Sequence, residues 1–216
     1  MMILMDSLST HTDYGTVPLS AGDLDPDPIA QFARWLGEAD AGGFAEPNAM
    51  VLGTIDDDGM PSSRTVLLRR VRAEGLEFFT NYDSRKGRAL AGHPVATAVF
   101  PWYGQQRQVI VTGSVTRLDA ESSDAYFASR PRDSQIASAA SRQSQPIESR
   151  ELLEQRIEEL ALAYPEGTAV PRPANWGGFL LSPIRIEFWK GRSSRVHDRF
   201  VYDRHAEGWG ITRLQP

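Results

Sequence analysis

Two segments in the first half of the chain place cations where a protein can bind an anion. In Arg64-Thr-Val-Leu-Leu-Arg69, two arginines bracket an apolar run, and strand alternation cannot put both of them on one face. Further on, Ser84 opens a predicted helix with Arg85 and Lys86 in its first turn, where cations oppose the positive end of the helix dipole. A bound phosphate would resolve that conflict. The alternatives are exposed edge charges and a solvated first turn.

The third segment runs Tyr-Phe-Ala-Ser-Arg-Pro-Arg-Asp-Ser-Gln-Ile from Tyr126 to Ile136. It predicts the end of one helix, a break at Pro131 and the start of another helix. Pro131 and Asp133 explain the break, but they do not explain why tyrosine, arginine and serine cluster around it. These residue types are those that bind phosphate.

The fourth segment is a predicted hairpin from Glu187 to Arg199. Its second strand is expected to project Arg195, His197 and Arg199 to one face, because strand side chains alternate with a period of two. Three neighbouring cations repel one another unless a polyanionic ligand faces them, and Trp189 could cover a flat ring. Together the four segments predict a ligand that carries phosphate and an aromatic ring.

Several kinds of chemistry are excluded by the composition. The chain has no cysteine, which removes disulfides, thiolate nucleophiles and Cys-ligated metals. A P-loop, an HExxH motif, a nucleophile elbow and a strand–GxGxxG–helix unit are also missing from the sequence. Its four histidines are too scattered to predict a metal site. Any redox chemistry must therefore come from a bound cofactor.

Charge and hydropathy exclude further classes of protein. A formal net charge of -5 argues against general nucleic-acid binding, which needs a basic surface. No stretch approaches the roughly 18 apolar residues of a membrane span. The N-terminus lacks the basic region and the cleavage site of a secretory signal. We therefore expect a cytoplasmic protein that binds neither nucleic acid nor membrane.

The elements that must position these residues follow from periodicity. Residues 1–24 show no period and are expected to form a mobile N-terminal arm. An amphipathic helix is predicted to start after Asp27 and to end at Gly42. Alternating runs from 49 to 118 predict an antiparallel meander that a short helix at 84–93 interrupts.

The C-terminal half predicts helices first and strands afterwards. Three helical stretches are expected near 120–129, 134–141 and 149–164. Strands from both ends of the chain should then close one sheet around one core. The predicted fold class is mainly β with peripheral helices, a small antiparallel barrel. Residues 25–216 are expected to form one domain, because a cut would leave half a barrel on each side.

At these same segments the chain closely resembles the pyridoxamine 5'-phosphate oxidases. The motifs occur in the family's order from about residue 25 to residue 216, and they are RTVLLR, FFTNYDSRK, FPW, RQVIVTG, YFASRPRDSQI, SRQSQPI, WGGF, IEFW and RVHDRF. The resemblance implies a split antiparallel β-barrel of the FMN-binding type, and a homodimer with FMN at the subunit interface. It also implies oxidation of pyridoxamine and pyridoxine 5'-phosphates to pyridoxal 5'-phosphate, as in vitamin B6 cofactor synthesis. O2 would be the electron acceptor and H2O2 a product, with ammonia from the amine.

The resemblance also implies the site residues, motif by motif. Those implied to bind FMN are Arg64, Thr65, Val66, Leu67, Leu68, Arg69, Phe79, Thr80, Arg85, Lys86, Gln108, Gln143, Ser144, Trp189 and Arg199. Those implied to bind substrate are Arg69, Tyr126, Arg130 and Ser134 at its phosphate, and Arg195 and His197 over its ring. Arg195 and His197 are the implied catalytic residues, expected to orient the substrate and to support the transition state electrostatically. No metal is implied.

Three features depart from the family's pattern. Arg69 stands where the family usually has a lysine, and a planar guanidinium does not bind phosphate as a point charge does. Phe79 replaces a common tyrosine, which removes one polar contact. The N-terminal arm keeps Tyr14 but has His11 where a family arginine would fall. This difference bears on whether the arm closes over the substrate.

Other functions stay open on the sequence alone. A related oxidase of another ring, such as those of phenazine biosynthesis, would share most motifs, although RPRDS and RVHDR favour the vitamin B6 substrate. A flavin- or deazaflavin-binding module, or a pyridoxal phosphate carrier, would bind with little turnover. A barrel whose arginines bind nothing is the remaining alternative. Oxygen consumption on addition of pyridoxine 5'-phosphate would distinguish an oxidase from a binder.

Overall fold

The structure is a computed structural model that describes residues 13–216, so the prediction for His11 lies outside the described residues. The chain forms two compact units. The barrel unit consists of Asn48–Val99 and Val111–Ile184. The terminal unit consists of residues 13–47, Phe100–Ile110 and Arg185–Pro216.

The barrel unit is built on six strands whose order closes on itself. Three strands lie wholly in this unit: β1 (Ala49–Ile55), β2 (Pro61–Arg72) and β3 (Gly75–Asn81). Three more lie partly in it: β4 (Val95–Trp102), β5 (Arg107–Arg117) and β6 (Trp176–Lys190). The order is β3-β2-β1-β4-β5-β6, and β3 also pairs antiparallel with β6. This six-stranded antiparallel barrel confirms the predicted fold class.

Tight backbone contacts fix the barrel's register. The predicted turn at residues 56–59 joins β1 to β2, with Gly59 at a φ of 81° and Ile55 paired with Pro61. Gly75 begins β3 at a φ of 150°, and a Cβ there would lie 2.1 Å from the carbonyl oxygen of Leu181 on β6. Only glycine therefore allows β3 and β6 to meet at this point.

Alternate side chains of the strands fill the barrel's interior. On β1, Met50 and Leu52 are fully buried, while Val51 between them is exposed. Phe78 on β3 stacks on Phe179 of β6 with ring centroids 5.5 Å apart. Burying such side chains stabilises the fold by about 1.5–3 kcal/mol each relative to leaving them exposed.

Four helices belong to the barrel unit, and their bounds are Arg85–Gly92 (α2), Ala120–Ser129 (α3), Arg132–Ala140 (α4) and Arg150–Ala163 (α5). These bounds confirm the predicted helices to within two residues. The apolar face of α5 packs, through Ile157 and Leu160, on a second core formed by Phe127, Ile136, Val170 and Trp176.

The terminal unit contains α1 (Pro28–Ala41), β7 (Asp198–His205) and β8 (Gly208–Leu214), together with the remaining ends of β4, β5 and β6. The carboxylate of Asp27 accepts the backbone N–H of Ile29 at 2.9 Å and so caps α1, as predicted. The helix packs through Phe32 and Trp35, and the Trp35 ring meets Phe188 of β6 edge-on at 5.2 Å.

One prediction about the C-terminal hairpin is wrong. Arg195, His197 and Arg199 do not share a strand face, because β7 begins only at Asp198. The residues before it form a tight turn in which Ser194 and Arg195 have φ of 57° and 58°. Side chains rarely adopt this left-handed backbone, so alternation does not extend through the turn.

Residues 13–24 contact the rest of the terminal unit. The backbone N–H of Leu19 donates to the buried carboxylate of Asp198 at 3.0 Å, and Leu19 itself is buried. The mobility of residues 1–24 and the single domain from 25 to 216 stay predictions. In the described part of the chain, every helix is too short or too polar to cross a membrane.

Candidate active site

A cavity of about 380 Å³ opens in the barrel unit beside β3 and α4. All four residues predicted to bind the substrate phosphate line it, and they are Arg69, Tyr126, Arg130 and Ser134. Arg69 is also predicted to bind FMN, and three further residues of that set, Phe79, Thr80 and Gln143, line the cavity as well. Within residues 13–216, the lining holds two arginines and no Asp or Glu. The cavity therefore favours an anion.

Arg130 is the better fixed of these two arginines. Its Nη1 donates to the hydroxyl of Ser138 at 2.8 Å, and its guanidinium lies 4.8 Å from the centroid of the Trp176 ring. Burial lowers the pKa of Arg130, and the nearby Arg69 lowers it further. A bound phosphate would offset both effects, because it brings negative charge to a partly desolvated cation.

One wall of the cavity is aromatic. The rings of Phe79 and Tyr126 stack with their centroids 3.8 Å apart, and Trp176 lies parallel to Tyr126 at 6.1 Å. Apolar ring faces of this kind exclude water and suit a flat ligand.

Lys86 lies at the centre of a buried polar network. Its ammonium donates to Gln143 Oε1 at 2.9 Å, to Thr80 Oγ1 at 3.0 Å and to Ser84 Oγ at 3.3 Å. Ser84 also caps α2 by accepting the N–H of Gly87 at 3.2 Å, so the helix start and the lysine share one hydroxyl. Burial, followed by the charge of Arg64, lowers the pKa of Lys86 to about 8. All three acceptors are neutral, which leaves the lysine's charge available for an anion.

Arg64 approaches this network from β2. It donates to the Leu52 carbonyl at 3.1 Å, to Thr54 Oγ1 at 2.7 Å and to Ser62 Oγ at 2.6 Å. Burial lowers its pKa, and the charge of Asp56 opposes that shift. The arginine is therefore half-buried and held by neutral oxygens, and it is not one of the exposed edge charges that the sequence left open.

Arg85 occupies the other side of the first turn of α2. Its Nε donates to the carboxylate of Asp56 at 2.7 Å, and its side chain is 63% exposed. This hydrogen bond, with a second from Ser62, lowers the pKa of Asp56. Of the two cations predicted to face a phosphate there, Lys86 is buried and Arg85 is paired.

The remaining predicted residues of the barrel unit lie on β2 and in the loop after α4. Between Arg64 and Arg69, Thr65 is exposed, Val66 and Leu67 are half-buried and Leu68 belongs to the core. Ser144 follows Gln143 with a φ of 69°, in a turn closed by the Gln145 N–H on the Arg142 carbonyl at 3.0 Å. The turn presents Gln143 to Lys86.

The other predicted residues, Gln108, Trp189, Arg195, His197 and Arg199, belong to the terminal unit. Trp189 and His197 lie with ring centroids 4.7 Å apart, and the Tyr14 ring meets both edge-on at 5.9 and 5.7 Å. Gln108 lies on β5 and is half-buried. The predicted site residues thus form two groups, one in each unit.

The hydrogen bond to His197 defines its protonation. The backbone N–H of Arg192 donates to Nδ1 at 3.1 Å, so Nδ1 is an acceptor and the ring proton belongs to Nε2. Burial, followed by the charge of Arg195, lowers the pKa of His197, while Asp198 opposes the shift. His197 is therefore a neutral ring that can donate from Nε2.

A partly buried carboxylate and a buried one hold the neighbouring cations. Glu187 accepts Nε and Nη2 of Arg199 at 2.8 and 3.1 Å, and this pair raises the pKa of Arg199. Asp198, which is 1% exposed, accepts from Arg192 at 3.4 Å and from Arg213. The turn that carries Arg195 and His197 is therefore anchored at the start of β7.

Five residues that line the cavity were not predicted, and they are Asn81, Ala137, Ser138, Ser141 and Trp176. The sequence does contain a signal for two of them, because Ser138 and Ser141 follow Ser134 at helical spacing and so share its face. Trp176 opens the WGGF motif of the resemblance, but no role in the site was predicted for that motif. Among residues 13–216, no group of three or more His, Asp or Glu side chains is placed to hold a metal ion.

Two family models match the chain. The model described as "Pyridoxamine 5'-phosphate oxidase" matches residues 36–164. The model described as "Pyridoxine 5'-phosphate oxidase C-terminal dimerisation region" matches residues 176–216.

Curated relatives match over nearly the whole length. A protein of Rubrobacter xylanophilus named pyridoxine/pyridoxamine 5'-phosphate oxidase is 50% identical over 211 residues, which cover 98% of this chain and 97% of the relative. A protein of Thermobifida fusca with the same name is 50% identical over 217 residues and 98% of both chains.

Solved structures share the fold. PhzG from Burkholderia lata, solved with tetrahydrophenazine-1-carboxylic acid, has a TM-score of 0.87 and 33% identity over 94% of this chain and 100% of its own. A pyridoxamine 5'-phosphate oxidase-related, FMN-binding protein from Nostoc punctiforme has a TM-score of 0.71 and 18% identity over 89% of this chain and 99% of its own. The matched models and relatives show that this chain is an oxidoreductase of the pyridoxamine 5'-phosphate oxidase family, with its split-barrel fold and FMN as cofactor.

Proposed function

We propose that this protein oxidises pyridoxamine and pyridoxine 5'-phosphates to pyridoxal 5'-phosphate with O2 as electron acceptor. H2O2 is the second product, and the amine substrate also releases ammonia. The observation that carries the proposal is the cavity in which Arg69, Tyr126, Arg130 and Ser134 meet with no carboxylate in the described lining. Two guanidiniums and two hydroxyls are donors suited to a phosphate monoester, which offers several strong acceptor oxygens.

The residues around Lys86 fit the phosphate of FMN. A buried ammonium whose acceptors are the neutral oxygens of Thr80, Ser84 and Gln143 lies next to the half-buried Arg64 and the start of α2, and this arrangement suits an anion. Arg85 adds positive charge at the same turn. The other residues proposed to bind FMN are Thr65, Val66, Leu67, Leu68, Arg69, Phe79, Thr80, Gln108, Gln143, Ser144, Trp189 and Arg199. When bound, FMN would supply the two-electron redox chemistry that links the substrate to O2.

The chain's own residues supply position and charge. Arg69 and Arg130 hold the substrate's phosphate, with Tyr126 and Ser134 donating beside them. Holding this remote group fixes the position of the ring, which lowers the entropic cost of reaching the transition state.

Arg195 and His197 are proposed to act at the reacting end of the substrate. His197 can donate from Nε2 because Nδ1 already accepts the Arg192 N–H. This arrangement supports a role in orienting the substrate rather than a role as the base, since a base needs a free lone pair. Arg195 adds a positive charge beside the reacting end, where it is proposed to orient the substrate and to support the transition state electrostatically.

A homodimer with FMN at the subunit interface is part of the proposal. Its support is the match of residues 176–216 to the family's dimerisation region. If both subunits hold FMN, loss of the cofactor should weaken the dimer through linkage. A flavin-loaded protein that sediments as a monomer would contradict this part.

A second candidate is oxidation of a tricyclic carboxylic acid. It is favoured by the likeness to PhzG, a structure solved with tetrahydrophenazine-1-carboxylic acid. The experiment is oxygen uptake by the FMN-loaded protein with that acid and with each vitamin B6 phosphate. Uptake with the phosphates supports the proposal, uptake with the acid alone supports the second candidate, and flavin binding without uptake contradicts both.

A further inference from the structure

Arg130 is held from two sides by residues that carry no charge. Ser138 on α4 accepts its Nη1 at 2.8 Å, and the Trp176 ring at the start of β6 lies under its guanidinium at 4.8 Å. A ring face and a hydroxyl fix the direction of an arginine without neutralising it. A carboxylate in either place would instead compete with the ligand.

Both of these partners are themselves fixed. Trp176 is buried, pairs with Asn81 of β3 and meets the Phe127 ring edge-on at 5.1 Å. The helix that carries Ser138 is tied down at its first residue, because the Arg132 guanidinium donates to the carbonyls of Pro165 at 3.0 Å and Thr168 at 2.9 Å. The guanidinium of Arg130 is thus set by rigid elements.

The two arginines of the Arg-Pro-Arg motif, Arg130 and Arg132, therefore have different roles. Arg132 donates to backbone carbonyls of the loop after α5 and lies outside the cavity's lining. Arg130 lines the cavity, and its guanidinium contacts the Ser138 hydroxyl and the Trp176 ring. A ligand phosphate in the cavity would meet a cation that is already oriented, so that little rotamer entropy is lost on binding.

We propose that Trp176 and Ser138 are positioning residues that hold the Arg130 guanidinium in the orientation that binds a phosphate. Through Arg130, they set the preference of the site for phosphorylated over unphosphorylated ligands. The inference rests on the proposed function, because it takes the ligand of Arg130 to be the substrate phosphate. It assigns a role to two residues that lie outside the predicted site.

The test uses the FMN-loaded protein and two probes, pyridoxal 5'-phosphate and pyridoxal, titrated against the flavin absorbance. Trp176→Leu is expected to weaken binding of the phosphorylated probe roughly 2- to 30-fold, the range of a cation–π contact. Ser138→Ala is expected to weaken it roughly 2- to 12-fold, the range of one hydrogen bond. In Ser138→Ala, the binding of pyridoxal and the FMN content should stay unchanged. In Trp176→Leu, the loss for pyridoxal should be smaller than the loss for the phosphorylated probe, and Trp176→Phe should recover part of both losses because it keeps a ring face.

A matched control exists in the terminal unit, where Arg204 lies over the Trp209 ring at 5.4 Å. Trp209→Leu removes the same kind of contact and should leave both affinities unchanged. Ser138→Ala keeps the test decisive if Trp176→Leu does not fold, since it removes a single oxygen.

Three results would overturn the inference. Equal losses for both probes would show general damage, and unchanged affinity for the phosphorylated probe would show that Arg130 needs neither partner. If the unsubstituted protein binds pyridoxal 5'-phosphate no more tightly than pyridoxal, the proposed function itself fails. Failure of the proposed function is distinguished from failure of this inference because it is measured on the unsubstituted protein alone.

Discussion

The ammonium of Lys86 donates to the side-chain oxygen of Gln143 across 2.9 Å. This hydrogen bond ties α2 to the loop after α4, and it aims a buried cation at the region predicted to hold FMN. Burial, followed by the charge of Arg64, lowers the pKa of Lys86 to about 8. A lysine that titrates near neutral pH makes cofactor binding sensitive to pH.

FMN affinity should fall as the pH rises above 8. Below that pH the lysine of the flavin-free protein is protonated, and the FMN phosphate is already a dianion above about pH 6. Above it, binding must first return a proton to Lys86, which lowers the affinity by up to about tenfold per pH unit. The measurement is quenching of FMN fluorescence between pH 7 and 9.5.

Lys86→Arg is the control for this prediction, because a guanidinium keeps its charge over the same range. The variant's affinity should not fall with pH. A constant FMN affinity in the unsubstituted protein up to pH 9.5 would contradict the assignment of Lys86.

Arg69→Ala should raise KM for pyridoxine 5'-phosphate about 10- to 100-fold, because one charge-assisted hydrogen-bonding partner of the phosphate is lost. Arg69→Lys, which restores the residue usual in the family, should recover most of the affinity. Steady-state kinetics at saturating FMN would measure both variants. Equal KM values for Arg69→Ala and the unsubstituted protein would exclude Arg69 from the phosphate site.

Arg195→Ala should lower kcat/KM by roughly a hundredfold, a size typical of a positioned electrostatic group. The FMN content of the variant should be unchanged if Arg195 acts on the substrate. Turnover per bound flavin is the quantity to compare. Lost flavin with normal turnover per flavin would instead make Arg195 a cofactor residue.

Asp198→Asn should destabilise the protein by about 1.5–3 kcal/mol, since it removes the charge of a buried carboxylate that accepts from two partly exposed arginines and from the Leu19 N–H. Asp203→Asn is the matched control, because Asp203 pairs with Arg185 at 2.8 Å on the surface, where both side chains are more than a third exposed. That pair should contribute less than about 1 kcal/mol. Urea unfolding of the FMN-loaded protein measures both, and equal losses would contradict the anchoring role of Asp198.

Much of the fold could be predicted because its elements carry regular periods. Alternation along β1 and the caps of α1 are local signals, and the structure confirms them. The turn before β7 could not be predicted in this way. Serine and arginine do not signal the left-handed backbone found at Ser194 and Arg195. The adjacent Asp198 bonds to Leu19, which is distant in sequence from the turn, and to Arg213, which follows the turn on another strand.

The part of the candidate site that contains clustered arginine, tyrosine and serine residues could be predicted from the sequence. Arg69, Tyr126, Arg130 and Ser134 do meet in one cavity, although nothing in the chain's order requires β2, α3 and α4 to converge. Trp176 was missed because a tryptophan that opens a strand looks like any core residue. Its place under Arg130 exists only once β6 pairs with β3.

Product analysis with purified, FMN-loaded protein decides whether the protein is an oxidase of vitamin B6 phosphates. Pyridoxine 5'-phosphate and pyridoxamine 5'-phosphate are supplied in air, and pyridoxal 5'-phosphate, H2O2 and ammonia are measured. We expect equal amounts of aldehyde and peroxide from each substrate, and an equal amount of ammonia from the amine alone. Tight flavin binding with neither aldehyde nor peroxide would contradict it.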